Sequence, residues 1–448
     1  MLIEFLVPLI LAQQAPVQQP AERQRRMTLE ECISEALRNN VDVGLASNDI
    51  ERSQAQKLST RAGYLPRLDM TLQDGYYIRG KQEVVYGYGG EPVQLTQPAE
   101  DDDTHYFGLR LGQNIFDGGK WWNRIYRADK AIDAAHLGLQ ATRETVALST
   151  ITSFYELLKA RKQAEVLRQS LMASIDQLEL AEERHRLGAA SKVDVAVAKV
   201  NVGEDRIAIE QQRRTIDITA ANLNRLMGRS PLEPLMVSEP GKLRDPGDMP
   251  GERSVPEDHF LLRMYQTTRE VAELDVDIAK GDRWPEVSGS ISYSRQDPEF
   301  YKVYSRFNQL YRLTFMLTIS FPIFDGFLTS SNIEQAEAAA SRVELEEYKA
   351  KQDLESNLSK ALTDLNRLQA IYEIEQENIT AAGQRLELAK ESYRVGQGTV
   401  LELREAQLAL NRARLVAVQT RYDLMIARAT YHQSCGDLIE TYLPGESP

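Results

Sequence analysis

Acids set beside two glycine turns are the residues of this chain whose spacing suggests chemistry. Leu187-Gly188-Ala-Ala-Ser191-Lys-Val-Asp194 is matched by Val395-Gly396-Gln-Gly-Thr399-Val-Leu-Glu402. In each, the glycine supplies the left-handed residue that ends one helix. A Ser or Thr with an acid three positions on forms a capping box that opens the next helix. The first duty of Asp194 and Glu402 is therefore to cap, assisted by the helix dipole. Glu405 follows Glu402 by one turn on the same face, with Arg404 on another. Arranged around a symmetric ring, such carboxylates crowd the axis, bind cations and favour cation passage.

No other grouping suggests a reaction. The five histidines, His105, His136, His185, His259 and His432, are scattered and read as surface residues, and none sits in a His-x-x-x-His or Cys-His set that would hold a metal. There is no Gly-Lys-Ser/Thr phosphate loop and no Gly-x-Ser-x-Gly elbow. Neither an enzyme nor a cofactor or metal site is expected. Cys32 and Cys435 are too few for a disulfide framework. The 53 basic and 66 acidic residues give a net charge of -13, spread along the chain without a basic patch, which argues against nucleic acid as a partner.

The elements that position these acids are set by an internal duplication. Asn114-Ile-Phe-Asp-Gly118 returns as Pro322-Ile-Phe-Asp-Gly326, Arg186-Leu-Gly188 as Arg394-Val-Gly396, and Leu226-Met-Gly228 as Ser434-Cys-Gly436. The glycines of each pair (118 and 326, 188 and 396, 228 and 436) lie 208 positions apart. Such constancy is expected where every residue keeps a packed register, since loops drift. Upstream, Tyr64-Leu-Pro66 pairs with Arg283-Trp-Pro285 at an offset of 219 (66 and 285), which puts extra residues into the first copy, in a loop between Gly75 and Thr104. Arg229 to Pro256 carries six prolines and three glycines and reads as the connector.

Each copy supplies a predicted strand hairpin. Tyr311, Leu313, Phe315, Leu317, Ile319 and Phe321 alternate with Arg312, Thr314, Met316, Thr318 and Ser320, the length and period of a transmembrane β-strand. Phe107 to Gly112, Leu68 to Gln73 and Val287 to Ser294 repeat the alternation. Tyr76, Tyr77, Tyr86, Tyr88, Phe300, Tyr301, Tyr304 and Phe307 lie near the hairpin tips, where an interfacial aromatic girdle would sit. Four strands cannot close a barrel in lipid, because an open edge leaves backbone groups unpaired. A membrane wall built this way requires several copies.

Each copy then continues as helix. From Gly118 to Gly188 and from Gly326 to Gly396 there is no proline, and 70 residues of helix would reach roughly 100 Å. Ile125, Ile132, Leu139 and Val146 recur every seven residues, with Ala128, Ala135, Thr142 and Ser149 between them, a seam that permits close packing. Ile333, Ala340, Glu347 and Leu354 are their counterparts, so one seam position there is charged and is expected to face a wet interior. Leu2 to Ala12 is too short to span a bilayer as a helix and reads as a secretory signal within residues 1–15.

These features together resemble the outer-membrane efflux protein family, the TolC-like channels. The resemblance rests on the duplicated tip turn, the Phe-Asp-Gly and the Leu-Pro or Trp-Pro entry to strands, and covers residues 28 to 440. It implies an α+β, mainly α fold in which long antiparallel helical hairpins form an α-barrel, and each protomer adds four strands to an oligomeric transmembrane β-barrel. Its expected organisation is a first repeat over 28–228, the connector 229–256, a second repeat over 257–440 and a tail over 441–448. It further implies a homotrimer in outer-membrane lipid, with a large periplasmic part that meets a periplasmic adaptor protein and an inner-membrane pump. Leu187, Gly188, Ser191, Val395, Gly396 and Thr399 would fall on the tips that meet the adaptor. Glu402 and Glu405 would fall at the pore gate, and Tyr393 in the network that holds it shut. Glutamates stand where the family has aspartates, and Gly398 where an arginine is found. The competing expectation is a periplasmic coiled-coil adaptor or scaffold without a pore.

Overall fold

In the computed structural model, residues 26–86, 93–97, 99–239, 254–305 and 307–444 are described. The expected signal, part of the connector and Tyr88 lie outside them. The duplication is visible element by element. Helices α3 (Lys120–Arg186) and α7 (Leu328–Arg394) each run 67 residues, and α4 (Lys192–Leu226) and α8 (Val400–Cys435) follow them at the same offset. In the same way α2 (Val41–Ala62) and α5 (Phe260–Gly281) are both 22 residues long. Absence of proline and abundance of Ala, Leu, Glu, Gln and Arg explain why such lengths hold. The remaining helices, α1 (Leu29–Asn39), α6 (Phe300–Ser305) and α9 (Leu438–Tyr442), are short.

The chain divides into two compact units, each drawing on both repeats. In the first (residues 1–44, 142–256 and 354–448), Phe154, Leu157, Tyr422, Leu424 and Tyr431 fill a core with Ile33 and Cys32 of α1. The start of α1 is closed by a capping box in which the Glu31 N–H donates to Thr28 Oγ1 at 3.2 Å and the Thr28 N–H to Glu31 Oε2 at 3.0 Å. Part of the connector is built into this unit. Val237 makes a parallel bridge to Met27, Leu235 and Val237 are buried, and Arg229 holds Glu35 with two hydrogen bonds of 2.6 and 2.9 Å. Cys32 and Cys435 are both buried in this core without a disulfide between them.

The second unit (residues 45–141 and 257–353) carries a four-stranded antiparallel sheet. Its strands are β1 (Arg67–Arg79), β4 (Glu100–Asp117), β5 (Glu286–Asp297) and β6 (Tyr311–Ser320), hydrogen-bonded in that order. The register sorts the two faces completely through the middle of the sheet. Leu68, Leu111, Ile291 and Phe315 share one row, and Met70, Leu109, Tyr293 and Leu313 the next. Between these rows, on the other face, run Asp69, Arg110, Ser292 and Thr314, then Thr71, Gly108, Ser294 and Arg312. A slip of one residue on any strand would reverse its faces, so the amphipathic pattern itself specifies this pairing. The apolar face is bare: Phe315 is 70% exposed and Leu317 64%.

The tips of this sheet differ from the sequence reading. Within the stretch 75–104, expected as a loop, the described residues continue β1 and β4 and add a two-stranded ribbon, β2 (Gln82–Tyr86) with β3 (Val93–Gln97). Among the described residues of this stretch, paired strand takes the place of the expected loop. Between β5 and β6 stands α6, not foreseen, and it and Phe307 beyond it fold back on the apolar face. Phe307 packs edge-on against Phe107 at 5.4 Å, and buried Arg295 donates to the Val303 carbonyl at 2.8 Å. The aromatic girdle is correspondingly uneven: Tyr76 lies on the apolar face, whereas Tyr77, one residue on, belongs to the polar face. Lys120, at the start of α3, ties the end of α5 to β5 through Asp282 at 2.8 Å and Glu286 at 2.5 Å. Glu347 does not face a wet seam. It is half-buried and paired with Arg269 of α5 at 3.3 Å.

Candidate functional site

The two tip turns have the geometry that their residues dictate. Gly188 (φ +75°) and Gly396 (φ +82°) are left-handed, and neither has a neighbour that a side chain would strike, so backbone conformation alone demands glycine there. The Ala189 N–H returns to the Arg184 carbonyl and the Gln397 N–H to the Ser392 carbonyl, which satisfies the last carbonyls of α3 and α7. Ser191 with Asp194, and Thr399 with Glu402, then form complete capping boxes at α4 and α8. Leu187 is 77% exposed and Val395 61%, and Val193 and Leu401 just beyond them are exposed as well. Each tip therefore presents apolar side chains to solvent on a rigid turn.

The three residues expected at a gate lie on this second hairpin but in different environments. Tyr393 is buried against Leu386, Leu403, Ala406 and Leu410 in a small core of α7 and α8. The Arg184 guanidinium sits 4.5 Å over its ring and donates to its carbonyl at 3.0 Å, which joins α3 to α7. Glu402 is exposed, and its carboxylate accepts the Thr399 N–H at 2.9 Å. Glu405 is exposed with Arg385 at 3.7 Å, a solvent-screened contact of little energetic weight. Both carboxylates remain open to solvent, one turn apart.

Between the hairpins lies a buried polar cluster that sequence reasoning passed over. Arg404 donates to both oxygens of Asp205, at 3.3 and 3.2 Å, and to Ser174 Oγ at 3.1 Å. Ser170 and Ser174 also donate to Asp205, at 3.2 and 2.6 Å. Gln407 reaches the Ser170 carbonyl at 3.2 Å and accepts from Gln177 at 2.8 Å, and Asn411 donates to Ser170 Oγ at 2.6 Å. The cluster links α3, α4 and α8 and fixes the segment that carries Glu402 and Glu405. A signal for it exists in the sequence, because Ser170, Ser174 and Gln177, and likewise Arg404, Gln407 and Asn411, recur at helical spacing among apolar residues. Its partners lie about 200 residues apart (205 and 404), which periodicity within one helix does not connect.

Four of the five histidines make structural contacts, and not all of them lie at the surface. His259 caps α5 and is buried, His105 meets Asp74 at 2.7 Å, His432 meets Asp437 at 2.9 Å, and His185 braces the first tip against the Ala190 carbonyl at 2.9 Å. Among the described residues no group of His, Cys, Asp and Glu could hold a metal, and no helix is long and apolar enough to cross a membrane.

Comparison with known proteins gives one consistent grouping. The outer membrane efflux protein family matches residues 32–229 and 256–437. The chain is 24% identical over 441 residues to protein CyaE of Bordetella pertussis, covering 97% of this chain and 89% of that one. It is 26% identical over 423 residues to the pyoverdine export outer membrane protein OpmQ of Pseudomonas aeruginosa, covering 91% and 85%. The crystal structure of the outer membrane protein VceC from Vibrio cholerae superposes with a TM-score of 0.75 at 18% identity, covering 91% of this chain and 96% of that one.

Proposed function

The chain belongs to the outer membrane efflux protein family, and on that premise we propose that three copies form a channel through the outer membrane, the exit duct of a tripartite efflux or type I secretion system. The observation that carries this reading is the sheet. Its apolar face is exposed on all four strands, its opposite face is polar, and β1 and β6 each pair on one side only among the described residues. Such a sheet is unstable alone in water or lipid. Three copies joined edge to edge satisfy both edges, giving about twelve strands, an even number within the range of closed outer-membrane barrels. A soluble scaffold leaves the bare apolar face without a role.

In this reading the repeats 28–228 and 257–440, joined by 229–256, supply equivalent hairpins to one tube. Leu187, Gly188, Ser191, Val395, Gly396 and Thr399 form the surfaces that meet a periplasmic adaptor, and exposed apolar residues on rigid turns support that role. Glu402 and Glu405 form the ion-selective constriction, and Tyr393, clamped by Arg184, holds its hairpin in place. The chain performs no chemical step, and an inner-membrane pump supplies the energy. The test is single-channel recording in planar bilayers, native against Glu402→Gln/Glu405→Gln, since glutamine keeps the capping box while removing charge. Discrete cation-preferring steps whose preference falls in the variant support channel and gate. Steps of unchanged selectivity would discard the gate alone, and a purified chain that neither trimerises nor inserts would sink the channel.

A further inference from the structure

The polar face of the sheet is not electrically neutral. Arg110 of β4 and Arg312 of β6 both lie on it, both are exposed, and neither has an ion-pair partner among the described residues. The one carboxylate on an adjoining position, Asp69, lies opposite Arg110 in register but binds Arg67 Nε at 2.8 Å, so those two charges offset each other. The next acids on this face, Glu286 of β5 and Asp102 of β4, stand six and eight residues from the row of Arg110, roughly 20 and 27 Å away and beyond the screening length of about 8 Å, and Glu286 is already paired with Lys120.

The surroundings are those of an ion-passing wall rather than a packed core. Around the two arginines the face carries short side chains, Ser290, Ser292, Ser294, Thr314 and Gly112, while the Tyr106 ring lies over Gly108. Small residues leave room for the long guanidinium side chains to extend away from the strands. An unpaired arginine tolerates only a watery or anion-bearing environment, because burying its charge uncompensated is costly.

Resting on the channel reading above, we propose that Arg110 and Arg312 line the barrel lumen as an anion-attracting sleeve, about six guanidiniums in three copies, which selects cargo carrying carboxylate or phosphate groups. Ser292 is the reporter position. It lies directly opposite Arg110 in register and diagonally beside Arg312, within reach of both charges at about 5 and 8 Å between Cβ atoms.

The sleeve is tested by thiol labelling of Ser292→Cys in the trimer reconstituted in vesicles, which needs no open tip. The two natural cysteines are buried, and their background is measured in the parent chain. The rates of an anionic and a cationic methanethiosulfonate of similar size are compared, with and without Arg110→Ser/Arg312→Ser. The anionic reagent is expected to react faster, and the rate ratio to fall several-fold when the arginines are removed, in keeping with electrostatic steering in a confined cleft. A ratio that does not move would overturn the sleeve while leaving the channel intact. Failure of both reagents to label Ser292→Cys in an inserted trimer would show that this face does not line water, which overturns the channel reading and the sleeve with it.

Discussion

Two buried charges offer opposite lessons at the scale of single residues. Arg404 and Asp205 are buried as a hydrogen-bonded pair, so removing one strands the other. Asp205→Ala is expected to cost about 3–5 kcal/mol, read as a lowered thermal unfolding midpoint of the detergent-solubilised protein, whereas Arg404→Met/Asp205→Leu should cost clearly less. Equal losses for the single and double variants would mean the pair is not coupled. Glu144 of α3 is 4% exposed, and burial, with Asp437 and Glu440 nearby, pushes its carboxyl up to about 7 despite a hydrogen bond from the Ile439 backbone. A carboxyl raised on folding binds its proton more tightly in the native state, so stability is lost as pH rises between the unfolded value near 4.5 and about 7, and the cost is fully present above that. Glu144→Gln should therefore stabilise at pH 8 by on the order of 2–3 kcal/mol and make no difference near pH 4. Denaturant midpoints for both forms across that range decide the matter, and a constant offset would refute the protonation argument. Helical spacing marked the polar stripes around Arg404 but not their pairing with Asp205, and nothing marked Glu144, because an arginine or glutamate in a helix reads as solvated until tertiary partners are known.

Elements were far more readable than residues. The constant offset between the two copies predicted equal helices, and α3 and α7 do have equal lengths, because a long seam without proline tolerates no insertion without losing register. The tips were readable for the same reason, since Gly-x-x-Ser/Thr followed by an acid has one economical conformation. What failed was the region of strand tips, where paired strands and α6 replaced expected loop. There the deciding contacts, such as Phe307 on Phe107 and Arg295 on the Val303 carbonyl, join separate strands and leave no periodic trace. The repeated glycines also prove unequal. A Cβ on Gly118 would lie 2.3 Å from the Gly281 carbonyl oxygen, in a turn with φ +74°, while Gly188 has open space around it. Gly188→Ala should cost about 1 kcal/mol from backbone conformation alone. Gly118→Ala should cost several times more, because the end of α5 must move. Comparable midpoints for the two variants in thermal unfolding would show that the crowding at Gly118 relaxes freely.

For the whole molecule the decisive quantity is where the bare face of the sheet goes. Phe315, Leu317 and Ile319 on β6 are exposed on one side of a strand whose other side is Thr314, Met316 and Thr318. In water that face is an aggregation hazard, and in lipid it is the favourable arrangement, since apolar area is removed from water at about 25 cal/mol per Å2. The helical hairpins owe nothing to this face: the core of Phe154, Tyr422 and Tyr431 lies in the other compact unit. Phe315→Asp/Leu317→Asp should therefore separate the two. On the lipid face of a barrel arginine or lysine costs about 2–4 kcal/mol near the bilayer midplane and aspartate less, but two aspartates per chain, repeated in each copy of the proposed oligomer, add up to a penalty expected to abolish insertion. The variant is expected to leave the outer-membrane fraction while helical circular dichroism of the purified chain stays unchanged. As a control, Thr314→Asp/Thr318→Asp on the polar face of the same strand should insert normally and alter only ion preference. If both double variants insert equally well, the apolar face is not the lipid face, and the barrel must be assembled from these strands in some other way.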